Sequence, residues 1–166
     1  MLLAKYKLNK MLKIRTYQNS DYKLVWDLYI EGLNTANINV GDGNWNDDLR
    51  QIEETYLNNS GDFLIGLIDD KIIAMGAIRK LNKKCAEVKR MRVKSEFARQ
   101  GFGQTILTSL ERRAKELGYS QLQLDTSTLQ EAAQKFYIKN GYEETNRSIV
   151  HFGKRKFEVI YYSKSI

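Results

Sequence analysis

The stretch from Cys85 to Gly118 constrains the fold of this chain most, because a strand pattern passes through a glycine turn into an amphipathic helix. Beyond Gly103 the apolar residues recur at helical spacing, namely at Ile106, Leu107, Leu110, Ala114 and Leu117. Gly101 and Gly103 therefore lie at the helix start, where unpaired N–H groups and the positive end of the helix dipole favour an anion. A glycine also has no Cβ to block a phosphate that approaches the backbone. The stretch predicts a phosphate-binding turn, although two glycines can also serve backbone geometry alone.

Basic residues are concentrated around this turn. Lys and Arg number 11 against 11 Asp and Glu in residues 1–83, but 16 against 9 in residues 84–166, so the net charge of +7 arises in the second half. Five of these cations lead into the turn: Lys89, Arg90, Arg92, Lys94 and Arg99. They would suit a polyanionic ligand held by charge-assisted hydrogen bonds, and the alternative is a solvated basic face.

Two common phosphate-binding motifs do not match the turn. A P-loop needs Gly-Lys-Ser/Thr, but Gly103 is followed by Gln104 and Thr105. A dinucleotide fingerprint needs a small residue where Ile106 stands, although Asp125 lies at a suitable distance to be its acidic ribose ligand.

Composition limits the class of protein. The 166 residues, 42% of them hydrophobic, predict one domain over residues 1–166, with residues 1–11 as an N-terminal extension. The single cysteine, Cys85, fits a reducing compartment, and with His151 as the one histidine no metal is expected. No apolar stretch approaches the ~20 residues of a membrane span, so a cytoplasmic protein without membrane contact is expected. The pI near 9.4 raises nucleic acid as a partner, but the lack of a base-reading basic stripe disfavours it.

Hydrophobic periodicity and turn residues predict eleven elements in the order βααβββαβαββ. The expected strands are 13–17, 62–68, 71–79, 85–93, 121–125, 142–152 and 157–163. The expected helices begin after a cap at residues 19–21, at Asn46 or Asp47, at Gly103 and near Leu129. The loop 35–46 between the first two helices is long enough to carry binding function. The fold class is therefore α+β.

Two motifs in this order resemble the GNAT superfamily of acetyl-CoA-dependent N-acetyltransferases. The family's Gln/Arg-x-x-Gly-x-Gly/Ala motif at the start of its central helix falls on Ala98-Arg-Gln-Gly-Phe-Gly103. Its Ala-x-x-x-Tyr-x-x-x-Gly-Phe/Tyr pattern falls on Ala133-Gln-Lys-Phe-Tyr-Ile-Lys-Asn-Gly-Tyr142. The resemblance covers residues 13–163 and implies a mixed, mostly antiparallel sheet of about seven strands flanked by about four helices. Ala98 and Gln130 depart from the family, which has Gln or Arg at the first position and often Asn at the second.

By this resemblance the cosubstrate is acetyl-CoA, with no metal. Its pyrophosphate would lie on the backbone of Arg99, Gln100, Gly101, Phe102, Gly103 and Gln104. Its pantetheine arm would add to the strand residues Met91, Arg92 and Val93. Gln130 and Lys139 complete the expected cofactor site, and Lys94, Arg99 and Lys139 are the candidates for the 3′-phosphate.

The resemblance also implies the chemistry of direct acetyl transfer to an amine. Freeing an amine of pKa ~10.4 at neutral pH costs about 4 to 5 kcal/mol, so a base is useful. Glu87 matches the family's glutamate for this role, with a cross-strand partner for a lysine as the alternative. Tyr137 matches the tyrosine that assists the leaving thiolate, and a backbone N–H near Val93 would hold the oxyanion. A covalent route through Cys85 is disfavoured by its position at the far end of the strand.

We therefore expect an N-acetyltransferase that acts on the primary amine of a small molecule. The alternatives are acetylation of a protein N-terminus or lysine, and a noncatalytic acyl-CoA sensor or basic nucleic-acid-binding module. The acceptor would lie between the first two helices, the loop 35–46 and the last hairpin, where Asp42, Trp45, Asp47 and Asp48 could favour a cation or could be turn and cap residues. The terminal hairpin offers an edge that a homodimer could use.

Overall fold

One seven-stranded sheet organises the protein. A computed structural model describes residues 11–36, 38 and 40–166. The strands follow the order β1-β2-β3-β4-β5-β7-β6. They are β1 (Lys13–Thr16), β2 (Asp62–Ile68), β3 (Lys71–Lys80), β4 (Cys85–Val93), β5 (Gln121–Ser127), β6 (Glu143–Phe152) and β7 (Arg155–Ser165). Apart from Met11, the predicted N-terminal extension lies outside the described residues, as do residues 37 and 39 of the predicted loop.

Four α-helices accompany the strands in the described part of the chain. They are α1 (Tyr22–Thr35), α2 (Asp47–Arg50), α3 (Phe102–Glu116) and α4 (Glu131–Lys139), and a π-helical turn spans Glu53–Leu57. Among the described strands, β4 and β5 form the one parallel pair, and the other neighbouring pairs are antiparallel. The predicted element order, the α+β class and the mostly antiparallel sheet are confirmed.

Two details of the predicted helices are wrong. The second helix is not continuous, because α2 ends at Arg50 and Gln51 leaves helical geometry before the π-helical turn. Asn46 is the N-cap residue of α2, as predicted, but its buried side chain makes no capping bond and accepts a hydrogen bond from the Tyr29 hydroxyl at 2.7 Å. The apolar spacing of α1 places Tyr22 on one stripe with Val25, Tyr29 and Leu33, but Tyr22 is 43% exposed, and Leu28 is buried in its place.

The sheet separates two hydrophobic clusters. On one face the apolar stripe of α3 is buried against the strands, as its spacing predicts, through Ile106, Leu107, Leu110 and Ala114. On the other face α1 and the π-helical turn cover the strands with Val25, Leu28, Tyr29, Leu33 and Tyr56. Burial of each of these aliphatic side chains contributes about 1.5–3 kcal/mol to the stability of the fold, so both clusters stabilise the sheet.

The sheet opens between its two parallel strands. Pairing of β4 with β5 covers only Cys85↔Gln121, Ala86↔Leu122 and Glu87↔Gln123, although β4 continues to Val93 and β5 to Ser127. A bulge in β4 accompanies this separation, since the register with β3 shifts between Met75 and Ala77 and Arg90 has a φ of 57°. Beyond Glu87, one edge of β4 therefore faces a gap.

Candidate active site

A cleft of about 620 Å³ occupies the gap between β4 and β5. Its walls come from α1, the segment between α1 and β2, the two separated strands, α4 and the terminal hairpin. Among the predicted site residues, Met91, Arg92, Gln130 and Tyr137 line it. Trp45, Asp48, Arg90, Asp125 and Phe152 line it as well.

The predicted phosphate-binding turn has the expected backbone geometry. Gly101 is left-handed with a φ of 88° and immediately precedes α3, and Arg99 has a φ of 60°. The first backbone bond of the helix runs from Thr105 N–H to the Gly101 carbonyl at 3.1 Å, so the preceding N–H groups point out of the helix end. A Cβ at Gly101 would meet no atom within 4 Å. This open space at a 15-residue helix fits a pyrophosphate group.

The turn lies against the end of β4. A Cβ at Gly103 would come within 3.6 Å of the Val93 side chain, so the glycine turn and the gap-facing edge of β4 are adjacent. Gln104 joins this end of α3 to the end of α4, because its side-chain amide donates to Asn140 at 2.6 Å. Lys139, the residue before Asn140, is exposed.

Gln130 sits at the N-terminus of α4 and lines the cleft. Its side-chain oxygen accepts a hydrogen bond from the Thr126 hydroxyl at 3.0 Å, which orients it from β5. The amide therefore occupies a defined position where the family often has Asn.

Tyr137 is buried in the cleft wall. Its ring packs edge-on against Phe136 and Tyr142, with centroids 5.3 and 5.7 Å apart. Burial raises the pKa of Tyr137 to about 12, while the charge of Arg92 acts to lower it. The phenol is therefore protonated at neutral pH. No side chain in the described part of the chain hydrogen-bonds to its hydroxyl, which leaves that proton free for a ligand.

Glu87 lies outside the residues that line the cleft. Its carboxylate accepts hydrogen bonds from Arg79 Nη2 at 2.6 Å and Nε at 3.1 Å, and Lys89 Nζ lies 3.6 Å away. Arg79 and Glu87 are directly opposite each other on β3 and β4. Glu87 therefore has the cross-strand ion pair that was the alternative to a catalytic role, but its nearest partner is an arginine and not a lysine.

Asp125 is the acid that sequence reasoning did not place in a catalytic role. It lies on β5 two residues beyond the last pair with β4, so its carboxylate faces the cleft. Its side chain stays exposed to solvent in the open cleft, while partial desolvation by the cleft walls raises its pKa and the nearby Lys89 only partly offsets this. The alternating strand pattern could have placed it on the face of Gln121 and Gln123, but the separation of the strands was needed to bring it into the cleft.

Asp48 and Arg90 form a buried ion pair in the opposite wall. Arg90 Nε donates to Asp48 at 2.8 Å, its Nη2 donates to the same carboxylate and to the Trp45 carbonyl, and the Tyr56 hydroxyl also donates to Asp48. Burial alone would raise the pKa of Asp48, but the hydrogen bonds and charge of Arg90 hold it below its usual value. The negative charge of Asp48 is therefore balanced by Arg90 within the protein.

Asp42 and Asp47, the other two acids that could have favoured a cation, are also paired. Asp42 and Asp47 both accept hydrogen bonds from Arg50, whose side chain stacks 5.7 Å from the Trp26 ring centroid. Asp47 and Asp48 line the cleft, but their charges are balanced by arginines, and Trp45 lines it with its ring packed edge-on against Phe152 at 5.5 Å.

The chain belongs to the acetyltransferase (GNAT) family. The sequence model of that family matches residues 22–142, which include both the glycine turn and Tyr137. The family resemblance inferred from the two motifs is thereby confirmed.

Individual relatives agree with this assignment. Human N-acetyltransferase 8 is 30% identical over 107 residues, which cover 61% of this chain and 47% of the relative. N-acetyltransferase 8F1 of Rattus norvegicus is 26% identical over 105 residues, which cover 60% and 48%. The chain thus spans about half the length of the curated relatives it matches.

Solved structures share the fold. An acetyltransferase from Streptococcus agalactiae superimposes with a TM-score of 0.81 at 22% identity, covering 93% of this chain and 98% of that one. A GNAT family acetyltransferase from Elizabethkingia anophelis with acetyl-CoA bound superimposes with a TM-score of 0.69 at 17% identity, covering 93% and 98%. None of the helices in the described ranges is both long and apolar enough to cross a membrane.

Proposed function

We propose that the protein transfers the acetyl group of acetyl-CoA to the primary amine of a small molecule by direct attack. The observation that carries this proposal is the separation of β4 from β5, which opens a cleft lined by a free strand edge and Tyr137, with the glycine turn next to the end of that edge. We also propose that the chain forms a single acetyltransferase domain.

The glycine turn and β4 would hold acetyl-CoA. The outward N–H groups from Arg99 to Gln104 suit the pyrophosphate, since they combine free donors with the positive end of α3. The edge of β4 from Met91 to Val93 has lost its β5 partner and can bond the amides of the pantetheine arm. Acetyl-CoA supplies an activated acetyl group as a thioester.

Two exposed cations are the better candidates for the 3′-phosphate. Lys94 Nζ already lies 3.2 Å from Glu96, whereas Arg99 and Lys139 have no acidic partner among the described residues. Both flank the glycine turn, on the residues before α3 and at the end of α4. We expect one of these two to carry the phosphate contact.

Asp125 is favoured as the base that receives the amine proton. Its raised pKa brings it closer to neutral pH, where a general base is most effective, and its carboxylate faces the cleft. Glu87 remains the second candidate, acting through water, because its two cationic partners occupy its oxygens. As the new C–N bond forms and the C–S bond breaks, the amine proton passes to this base.

Tyr137 would stabilise the sulfur that leaves. Its free, protonated hydroxyl can donate a hydrogen bond to the developing thiolate. A backbone N–H near Val93 would do the same for the carbonyl oxygen during attack. The products are an amide and a free thiol, so the thiol is the natural quantity to measure.

A thiol-release assay with a panel of small amines and peptides tests the proposal. Release that requires a small amine supports it, while release with peptides alone would assign the protein-acetylating alternative. Acetyl-CoA that binds in calorimetry without any thiol release would indicate the noncatalytic sensor. Tight, salt-sensitive DNA binding without acetyl-CoA binding would refute the enzyme altogether.

A further inference from the structure

The Arg92 side chain is half-buried and has no counter-ion among the described residues. Its side chain lines the cleft on the α1 side of the sheet, and Gly32 of α1 makes room for it, because a Cβ there would lie 2.5 Å from Arg92 Cδ. The guanidinium donates one hydrogen bond within the described part of the chain, from Nη1 to the Met91 carbonyl at 2.7 Å. Its Nε is buried and has no hydrogen-bond partner among the described residues, and the guanidinium carbon lies 5.9 Å from the Tyr29 ring centroid.

The other arginines of the cleft are neutralised by the protein itself. Arg90 is paired with Asp48, and Arg79 with Glu87. For Arg92, by contrast, no carboxylate within the described ranges approaches to ion-pair distance. Burial lowers the pKa of Arg92, which is the signature of a charge that has lost water without gaining an anion.

An unpaired charge that has lost contact with water destabilises the folded protein unless a ligand supplies an opposite charge. A buried charge is tolerated when it is paired, and the planar guanidinium matches a carboxylate through two parallel hydrogen bonds. Acetyl-CoA does not supply this anion at Arg92, since its phosphates belong at the N-terminus of α3 and the parts that enter the cleft are uncharged. The missing anion therefore belongs to the acceptor.

We propose that the acceptor is an amino acid or a related amine with a carboxylate near its amino group, and that the Arg92 side chain binds this carboxylate. The inference rests on the proposed acetyltransferase function. Arg92 on β4 and Asp125 on β5 stand on the two separated strands, so the cleft presents one cation and one anion to a zwitterion.

The rest of the acceptor would meet an aromatic wall. Trp45 packs on Phe152 at 5.5 Å, and Phe152 packs on Phe157 at 5.7 Å, with all three rings lining the cleft. Such a wall suits an apolar side chain better than a charged one. Amino acids with apolar side chains are therefore the first acceptors to test.

The test compares acceptors that differ only in the carboxylate. Thiol release from acetyl-CoA is measured with phenylalanine, leucine and methionine, and with the amines that remain when each loses its carboxylate. We expect at least one amino acid to exceed its amine in kcat/KM by about 10- to 150-fold, the range for a hydrogen bond to a charged group. Equal rates within every pair would overturn the inference.

Variants assign the preference to Arg92. In Arg92→Met the ratio of the two kcat/KM values should fall towards 1, and Arg92→Lys should keep part of it. Arg112→Met removes a charge from a side chain that is 75% exposed on α3, and should keep the wild-type ratio. If Arg92→Met lowers both acceptors by the same factor, the residue supports the fold or the chemistry and the inference is wrong.

Failure of this inference can be told apart from failure of the proposed function. Thiol release with amines or peptides that lack a nearby carboxylate, and none with amino acids, would refute the role of Arg92 but keep the acetyltransferase. Absence of acetyl-CoA binding in calorimetry, or binding without thiol release on any acceptor, would refute both.

Discussion

Replacing Tyr137 by phenylalanine isolates one hydroxyl group. The ring is buried against Phe136 and Tyr142, and the hydroxyl has no hydrogen-bond partner among the described residues. Tyr137→Phe therefore keeps the packing and breaks no bond within the protein. We expect its melting temperature to stay close to the wild-type value, because the hydroxyl is open to the cleft and makes no hydrogen bond that the substitution would remove.

The expected loss of activity follows from the pKa of the phenol. With the pKa of Tyr137 near 12 and that of a thiol near ~8.5, complete proton transfer to a thiolate is uphill by roughly 5 kcal/mol. The hydroxyl therefore acts as a hydrogen-bond donor to the developing charge, which is worth about 1.5–3 kcal/mol. We predict that kcat falls about 10- to 150-fold, while the affinity for acetyl-CoA changes less than about twofold.

Steady-state thiol release gives kcat, and calorimetry gives the dissociation constant of acetyl-CoA. Tyr142→Phe is the matched control, since it removes a buried hydroxyl that donates to Glu111 at 3.2 Å, away from the cleft. This control should lose about 1 kcal/mol of stability and keep its kcat. An unchanged kcat in Tyr137→Phe, or a loss of acetyl-CoA affinity as large as the loss of kcat, would refute the reasoning.

Two further predictions concern the carboxylates of the cleft. Asp125→Asn should lower kcat/KM by about 100-fold or more and change the stability of the fold at pH 7 only slightly, in the stabilising direction, because the side chain is exposed to solvent. The folded protein holds the pKa of Asp125 above its unfolded value, so this group costs stability as pH rises through that folded pKa. If Glu87→Gln lowers kcat/KM more than Asp125→Asn does, Glu87 is the base. Asp48→Asn should cost about 3–5 kcal/mol in denaturant unfolding at pH 7, because it leaves Arg90 buried and unpaired. The Asp47 carboxylate is 60% exposed, so Asp47→Asn should lower the free energy of unfolding by at most about 1 kcal/mol. Similar losses of stability in Asp48→Asn and Asp47→Asn would contradict the buried ion pair. The lowered pKa of Asp48 means that its contribution is present above the unfolded pKa and disappears as pH falls through the folded one.

Local patterns were sufficient to predict most of the fold. The helical spacing from Ile106 to Ala114 indicated a helix packed on the sheet, and the two apolar runs 62–68 and 71–79, joined by Asp69 and Asp70, indicated a hairpin. The break between α2 and the π-helical turn was not predictable, because the apolar spacing of Leu49, Ile52 and Tyr56 also fits a continuous helix. Across this break, the Tyr56 hydroxyl donates a hydrogen bond to Asp48.

The residues of the candidate site also differ in how far local sequence predicts them. Gly101 could be placed from local sequence, because a glycine at a strand-to-helix turn is a backbone requirement. Asp125 and Arg92 could not, since their roles depend on the separation of β4 from β5 and on which neighbouring charges are already paired. Those are long-range properties that spacing along the chain does not encode.

The binding of acetyl-CoA at the glycine turn is the central claim, and calorimetry on two alanine variants tests it most directly. Gly101 and Gly118 lie at opposite ends of α3, have φ values of 88° and 89°, and leave open space for a Cβ. Alanine at either position costs about 1–2 kcal/mol in backbone strain, but only at Gly101 would the methyl group stand where the pyrophosphate is expected. We predict that Gly101→Ala weakens acetyl-CoA binding about 10-fold or more while Gly118→Ala leaves it unchanged. Equal affinities for the two variants would contradict the account.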